Sequence, residues 1–284
     1  MSFTSSSLPV TFPDDGFSVT AAEPWIKTKT SIIQQYLQSF VGMLAGKVDE
    51  IVFIDLFAGN GIYSLGARKE LFAAPALLSL SLDMPITKFI FCEKETEQLR
   101  TLKIRVNKNF KSKNTLLLDG KPEAVIPMFT HYVPGSKGSY KTTVFCLCDS
   151  FSFDLHFSTI IQLAEQGFNF LIPFTFALND RLNYKFYLKE NRDKLKSFLN
   201  GQSDLLRLEK GLDSNVQFYK RVVQIYQSNM LSLGYNLSLS THKADSGLME
   251  LPAYQIGFFS KQISTKVIQQ DVEATRHVQF ELFQ

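Results

Sequence analysis

Between residues 50 and 176, five short apolar runs rich in β-branched and aromatic residues alternate with stretches of helical spacing. The runs are "EIVFIDLF", "KFIFCEK", "TLLLDG", "TTVFCLCDS" and "NFLIPFTF". The intervening helical stretches are "AAPALLSLSLD", "ETEQLRTLKIRVNKNF", "PEAVIPMFTHYV" and "FSTIIQLAEQG", the last with Gly167 just past its end. Strand and helix in alternation build a parallel sheet with helices on both faces. The near-continuous apolar character of the runs fits strands covered on both sides.

The flanking regions complete the frame. Residues 1–23 are rich in Ser, Thr, Pro and Asp and read as a loose arm. From Pro24, "EPWIKTKTSIIQQYLQSFVGMLAGK" has helical spacing, with Gly46 as its stop. Residues 180–233 are charged and mostly helical, and they read as an insertion. After them, "YNLSLSTHK" and "AYQIGFFSKQ" read as an antiparallel strand pair at the sheet edge. No linker separates a second unit, so residues 24–284 are expected to form one domain. With 45% hydrophobic residues and 26 Phe, the chain can bury a large core. The N-terminus has no secretory pattern, and no stretch reaches the roughly 18–20 apolar residues of a membrane span. The expectation is a cytoplasmic protein without a membrane segment.

Ligands of doubly wound sheets sit at the carboxyl ends of the strands. Four strands here are expected to end in a carboxylate: Asp55, Glu93, Asp119 and Asp149. Solubility charges have no reason to select that end. After Asp55 comes Phe57-Ala58-Gly59-Asn60-Gly61, where the glycines allow close backbone approach to a ligand or simply a tight turn. The loop has no Lys of a triphosphate loop and lacks the third glycine of a dinucleotide loop. Glu93, with Lys94 beside it, stands where an acid grips ribose hydroxyls, although a helix dipole also favours it. Asp119, with Gly120, is placed to accept from an adenine amino group, or belongs to a turn. Asp149 is a candidate site residue at the fourth strand end, with helix capping as the rival role. Together these residues describe a ribose-bearing adenine ligand with a cationic tail, which S-adenosylmethionine fits better than NAD or ATP.

Other candidates carry less. Lys27 and Lys29 flank the start of the first helix; solvated surface is the expectation, with reach toward a cofactor or phosphate as the alternative. The net charge of +3 permits an anionic partner without demanding one. Cys92, Cys146 and Cys148 form no disulfide framework and read as core residues. His131, His156, His242 and His277 are scattered, and no metal site is expected.

"FIDLFAGNG" resembles the first motif of class I S-adenosylmethionine-dependent methyltransferases, and the five β-α units with a terminal antiparallel pair match that Rossmann-like fold's seven-strand order. More narrowly, the chain resembles the three-Cys-motif partner protein family, a bacterial group of methyltransferase-like proteins. "WIKTKTSIIQQYL", "FIDLFAGNGIYSLG", "APALLSL", "FIFCEKE", "CDSF" and "AYQIGFFSKQISTKV" carry the likeness, from about Trp25 to Val267. The family is named for a cysteine-bearing protein partner. The resemblance implies methyl transfer to a nitrogen or oxygen acceptor, nucleic acid among the candidates. Asp149 would accept from the nucleophile and Phe151 would bound its pocket. Arg181, Asn183 and Lys27 are carried as acceptor-side candidates. The family tends to have Asp-Pro after the fourth strand, where this chain has Asp149-Ser150. Loss of the proline loosens the acceptor geometry and favours a rival reading: a methyltransferase-like binding module, a partner subunit of a mobile-element or defence system.

Overall fold

The computed structural model describes residues 11–67, 69–133, 135, 139–247 and 249–281. The elements run β1 (Thr20–Ala22), α1 (Pro24–Leu44), β2 (Glu50–Asp55), β3 (Ile62–Leu65), β4 (Glu70–Ala73), α2 (Pro75–Ser81) and β5 (Lys88–Glu93). They continue with α3 (Thr96–Asn109), β6 (Thr115–Asp119), α4 (Pro122–Tyr132), β7 (Thr142–Leu147), α5 (Phe157–Glu165) and β8 (Asn169–Phe174). The helices α6 (Tyr184–Lys189), α7 (Arg192–Phe198), α8 (Gln202–Glu209) and α9 (Asn215–Ser232) follow, then β9 (Asn236–Lys243), β10 (Ala253–Ser260) and α10 (Thr265–Glu281).

Seven strands form the main sheet in the order β6-β5-β2-β7-β8-β10-β9. The pairs β6-β5, β5-β2, β2-β7 and β7-β8 are parallel, and β10 runs antiparallel to both β8 and β9. This is the expected Rossmann-like α/β architecture, with the antiparallel pair last and a helical insertion before it. Every residue of β2 and β8 is buried, because both faces of the central strands are covered. On one side Tyr36 and Phe40 of α1 pack on Phe145 and Phe258 of the sheet. Chain order reverses between β2 and β7, which opens a crevice at their carboxyl ends.

Two features depart from the sequence reading. A second, three-stranded sheet β1-β3-β4 stands over that crevice. Gly61 does not lead directly into a helix: the β3-β4 hairpin intervenes, turning at Gly66 and Lys69, both at positive φ. Residues 11–22 also depart from the expected loose arm; residues 1–10 lie outside the described residues. Thr11 bridges to Phe72, Thr20–Ala22 pairs with Tyr63–Leu65, and Asp15 is ion-paired with Arg105. The composition of this stretch hid the pairing, since a three-residue strand carries almost no periodic signal. The final helix α10, against α1 and β9, likewise went unread.

Candidate active site at the carboxyl edge of the sheet

A cavity of about 350 Å³ opens at the crevice. Its walls come from the loop after β2 (residues 55–63), from Glu93, Lys94 and Glu95 after β5, and from residues 149–152 and Asp154 after β7. Thr20 of β1, Ala74 and Pro75 at the start of α2, Gln98 of α3 and Pro122 of α4 complete it.

The loop is built by its own hydrogen bonds. Asp55 Oδ1 accepts from Phe57 N at 3.0 Å, and Ala58 N donates to Cys92 O at 2.9 Å. Gly59 and Gly61 both have positive φ, +60° and +88°. A Cβ on Gly61 would stand 2.7 Å from Leu77 Cγ and 2.8 Å from Leu102 Cδ1, whereas on Gly59 it would meet only Gln98 Oε1, at 3.5 Å. Gly61 is therefore required by the packing of α2 and α3 behind the loop, and Gly59 is the glycine that faces the cavity side. Asn60 is a hub. Its Oδ1 accepts from Ile62 N, its Nδ2 donates to Thr20 Oγ1, and Arg105 donates to both its carbonyl and its Oδ1.

Glu93 is gripped from two sides. Gly59 N donates to Oε2 at 2.9 Å and Glu95 N donates to Oε1 at 2.9 Å. Each oxygen keeps a second lone pair, so the carboxylate is fixed in orientation while still able to accept. Asp55 is almost fully buried, and burial pushes its carboxyl up to about 8, against the Phe57 N–H that favours the charged form.

Asp149 lies two residues beyond the end of β7, a small shift from the strand end expected of it. It is not free: Lys29 of α1 reaches it, Nζ to Oδ1 at 2.6 Å, with both side chains buried. This overturns the expectation that Lys29 is solvated surface. Burial pushes the Lys29 ammonium below the usual lysine range, while Asp149 and, more weakly, Asp55 favour its charge. The same Nζ stands 4.0 Å from the centre of the Phe151 ring, and Trp25 meets Phe151 edge-on at 6.0 Å. Tyr63 of β3 also lines the cavity, and burial, with Asp149 and Asp55 adding to it, pushes its hydroxyl well above the ordinary tyrosine range. At the rim Asp154 accepts from Lys94 and Ser152 and pairs with Lys194 of α7. Burial alone would raise its carboxyl, but these hydrogen bonds hold it at about 2.

Of the sequence candidates, Asp55, Phe57, Ala58, Gly59, Asn60, Gly61, Glu93, Lys94, Asp149 and Phe151 converge on the cavity. Asp119 and Gly120 stand beside it. Asp119 pairs in register with Glu93 and accepts from Thr96, and Gly120 N donates to Glu93 O, but neither is on the wall. Lys27, Arg181 and Asn183 are not brought there. Lys27 pairs with Glu70, Asn183 caps α6 by accepting from Phe186 N, and Arg181 N donates to Asn179 in the loop before α6. Sequence reasoning missed Tyr63, Thr20, Gln98 and Asp154, and it ranked Lys29 as surface first. For Lys29 the signal was present. It lies four residues after Trp25 and four before Ile33, on the buried stripe of α1.

No group of three or more metal-ligating side chains occurs among the described residues, and none of their helices is long and apolar enough to cross a membrane. No family model matches the chain, and no curated protein matches it. Solved structures do. An rRNA methylase from Streptococcus thermophilus is 13% identical, with 84% of this chain and 96% of that one covered and a TM-score of 0.38. The methyltransferase domain of a bacterial Hen1 is 12% identical, over 81% and 99%, with a TM-score of 0.38. The bifunctional kinase-methyltransferase WbdD is 11% identical at a TM-score of 0.46; the match covers 82% of this chain but 39% of that one.

Proposed function

We propose that this protein binds S-adenosylmethionine at the crevice between β2 and β7 and transfers its methyl group to a nitrogen or oxygen acceptor. The observation that carries this reading is the charge of the cavity wall. Glu93, Glu95, Asp149 and Asp154 line it, together with an Asp55 that burial keeps largely protonated near neutrality until a cation binds, and among the described lining residues the one cation, Lys94, is paired with Asp154. A nucleotide polyphosphate finds no free cation there, whereas a cationic adenosyl sulfonium finds carboxylates and the carbonyls of the Asp55–Gly61 loop. Glu93, held by two backbone N–H groups, would take the ribose hydroxyls. Asp55 and the loop would hold the amino acid end. Asp119, one strand further out, would serve the adenine amino group. When bound, the cofactor supplies a methyl already activated by its sulfonium, and transfer leaves the C–S electron pair on a neutral thioether. The chain's part is alignment and exclusion of water. Asp149 accepts from the acceptor's N–H or O–H through the oxygen that Lys29 leaves open, and Phe151 walls the acceptor pocket.

Nucleic acid is the proposed acceptor class, as the sequence resemblance implies. Membership of the three-Cys-motif partner family, with a cysteine-bearing protein partner, is part of the same proposal. Calorimetry with S-adenosylmethionine and S-adenosylhomocysteine tests the cofactor. Binding is expected and is lost in Glu93→Ala; no binding at high micromolar ligand would sink the reading. Salt-dependent retention on RNA or DNA tests the acceptor class. One observation favours a binding module without turnover: the Asp149 carboxylate is already engaged by Lys29. Incubation with radiolabelled cofactor and pooled RNA, DNA, protein and small amines separates the two, since a module transfers nothing.

A further inference from the structure

The segment after β7 is firmly held by its own side chains. The Ser150 hydroxyl donates to Ser152 O at 2.9 Å and accepts from Ser152 N at 3.2 Å. Ser152 Oγ in turn donates to Asp154 at 2.6 Å. These bonds shape the backbone but touch neither the Asp149 carboxylate nor the Phe151 ring. Lys29 touches both, at 2.6 Å and 4.0 Å. Its Nζ is fully buried on the far side of a ring that is 38% exposed, so one face of Phe151 is spent on the cation and the rest looks outward. Trp25, one helical turn before Lys29 on α1, closes the edge of the same ring.

We infer that Lys29 is the positioning residue of the acceptor half of this site, fixing the Asp149 carboxylate and the Phe151 ring with one ammonium. The inference rests on the methyl-transfer reading for its functional meaning, though the clamp itself is a property of the free protein. A side chain anchored on α1 thus sets which Asp149 oxygen is open and how far Phe151 leans into the acceptor space. Lys29 is not among the residues lining the cavity, so it acts through those two groups and not on the cofactor.

Trp25 is the chain's single tryptophan, which makes the clamp directly observable. In Lys29→Met, the ring loses its anchor and Trp25, now 4% exposed, becomes more open to acrylamide quenching. S-adenosylmethionine affinity by calorimetry stays within about threefold of wild type, well under 1 kcal/mol. Transfer of radiolabelled methyl to pooled RNA falls roughly 100-fold, the loss that a misplaced reactant produces. Lys29→Arg, which keeps a donor for Asp149, recovers part of the transfer and the quenching of wild type. Should Lys29→Met fail to fold, Lys29→Met/Asp149→Asn leaves no unpaired buried charge and carries the same quenching measurement. Unchanged Trp25 quenching in these variants overturns the inference, as does transfer within threefold of wild type in Lys29→Met. A wild type that does not bind the cofactor sinks the methyl-transfer reading instead, and the quenching comparison still decides the clamp.

Discussion

Asp55 shows how a single buried carboxyl marks both stability and site. It ends the central strand with almost no exposure, and its proton is held up to about 8 against an ordinary 3.8. Between those values the folded chain keeps a proton that the unfolded chain has released. Stability therefore falls as pH rises through this window, and below it the effect vanishes. Urea midpoints compared at pH 5 and pH 8 should decline in wild type more than in Asp55→Asn, which keeps an acceptor for Phe57 N and cannot titrate. A cationic ligand reverses the preference, so its affinity should rise toward pH 8 in wild type and stay flat in the variant. The two loop glycines give a second contrast. Gly61→Ala forces a methyl within 2.7 Å of Leu77 Cγ at a backbone angle that disfavours any side chain, while Gly59→Ala has only the angle against it. Overpacking costs about 1–3 kcal/mol. Gly61→Ala should be the less stable by that order in thermal unfolding, with Gly59→Ala the one that more directly perturbs ligand binding.

At the scale of elements, the central observation is that the N-terminal strand is fastened to the ligand loop by one buried arginine. Arg105 of α3 is 1% exposed; it binds both oxygens of Asp15 and, through Nη1, Asn60 O and Oδ1. Asn60 then holds Thr20 of β1. Arg105→Met removes the cation from a partly buried Asp15 and both contacts from the loop. Breaking a buried pair costs about 3–5 kcal/mol, reduced here because Asp15 retains some water. Amide exchange of residues 11–22 should accelerate more than that of β2, which reports detachment of the strand and not global unfolding. The same elements show what the sequence could and could not disclose. The five parallel strands were legible because each is an apolar run of five or six residues, and the carboxylates after four of them stood out as abrupt polar stops. The β1-β3-β4 sheet was not, because its strands are three and four residues long and half exposed, and nothing in "IYSLGARKELFA" repeats often enough to show a period. Lys29 lay on a legible helical stripe, but a lysine on such a stripe declares its partner only when the segment after β7 that carries Asp149 is known to meet it.

Across the whole molecule, the insertion and the sheet share one aromatic core behind the segment that follows β7. Phe153, two residues after Phe151, packs at 4.4 Å on Phe176 just past β8, at 4.8 Å on Tyr187 of α6 and at 5.1 Å on Phe198 of α7. Phe198 continues the cluster to Tyr226 of α9, and Tyr226 meets Phe157 of α5 and Phe174 of β8. The rim repeats the connection in charge, with Lys194 of α7 on Asp154. The insertion's helices do not line the cavity; they pack behind the segment that carries Phe151, Phe153 and Asp154 and are expected to unfold together with the sheet. Phe153→Ala removes the ring common to these contacts, and truncating a buried Phe costs about 3–5 kcal/mol. The loss should appear as one displaced transition in urea, with Trp25 emission (reporting α1 and the sheet) and far-UV circular dichroism (dominated by the helices) still coincident. A helical signal that melted ahead of Trp25 would show instead that α6–α9 are a separable unit. The support behind Phe151 and Asp154 would then be mobile, not fixed.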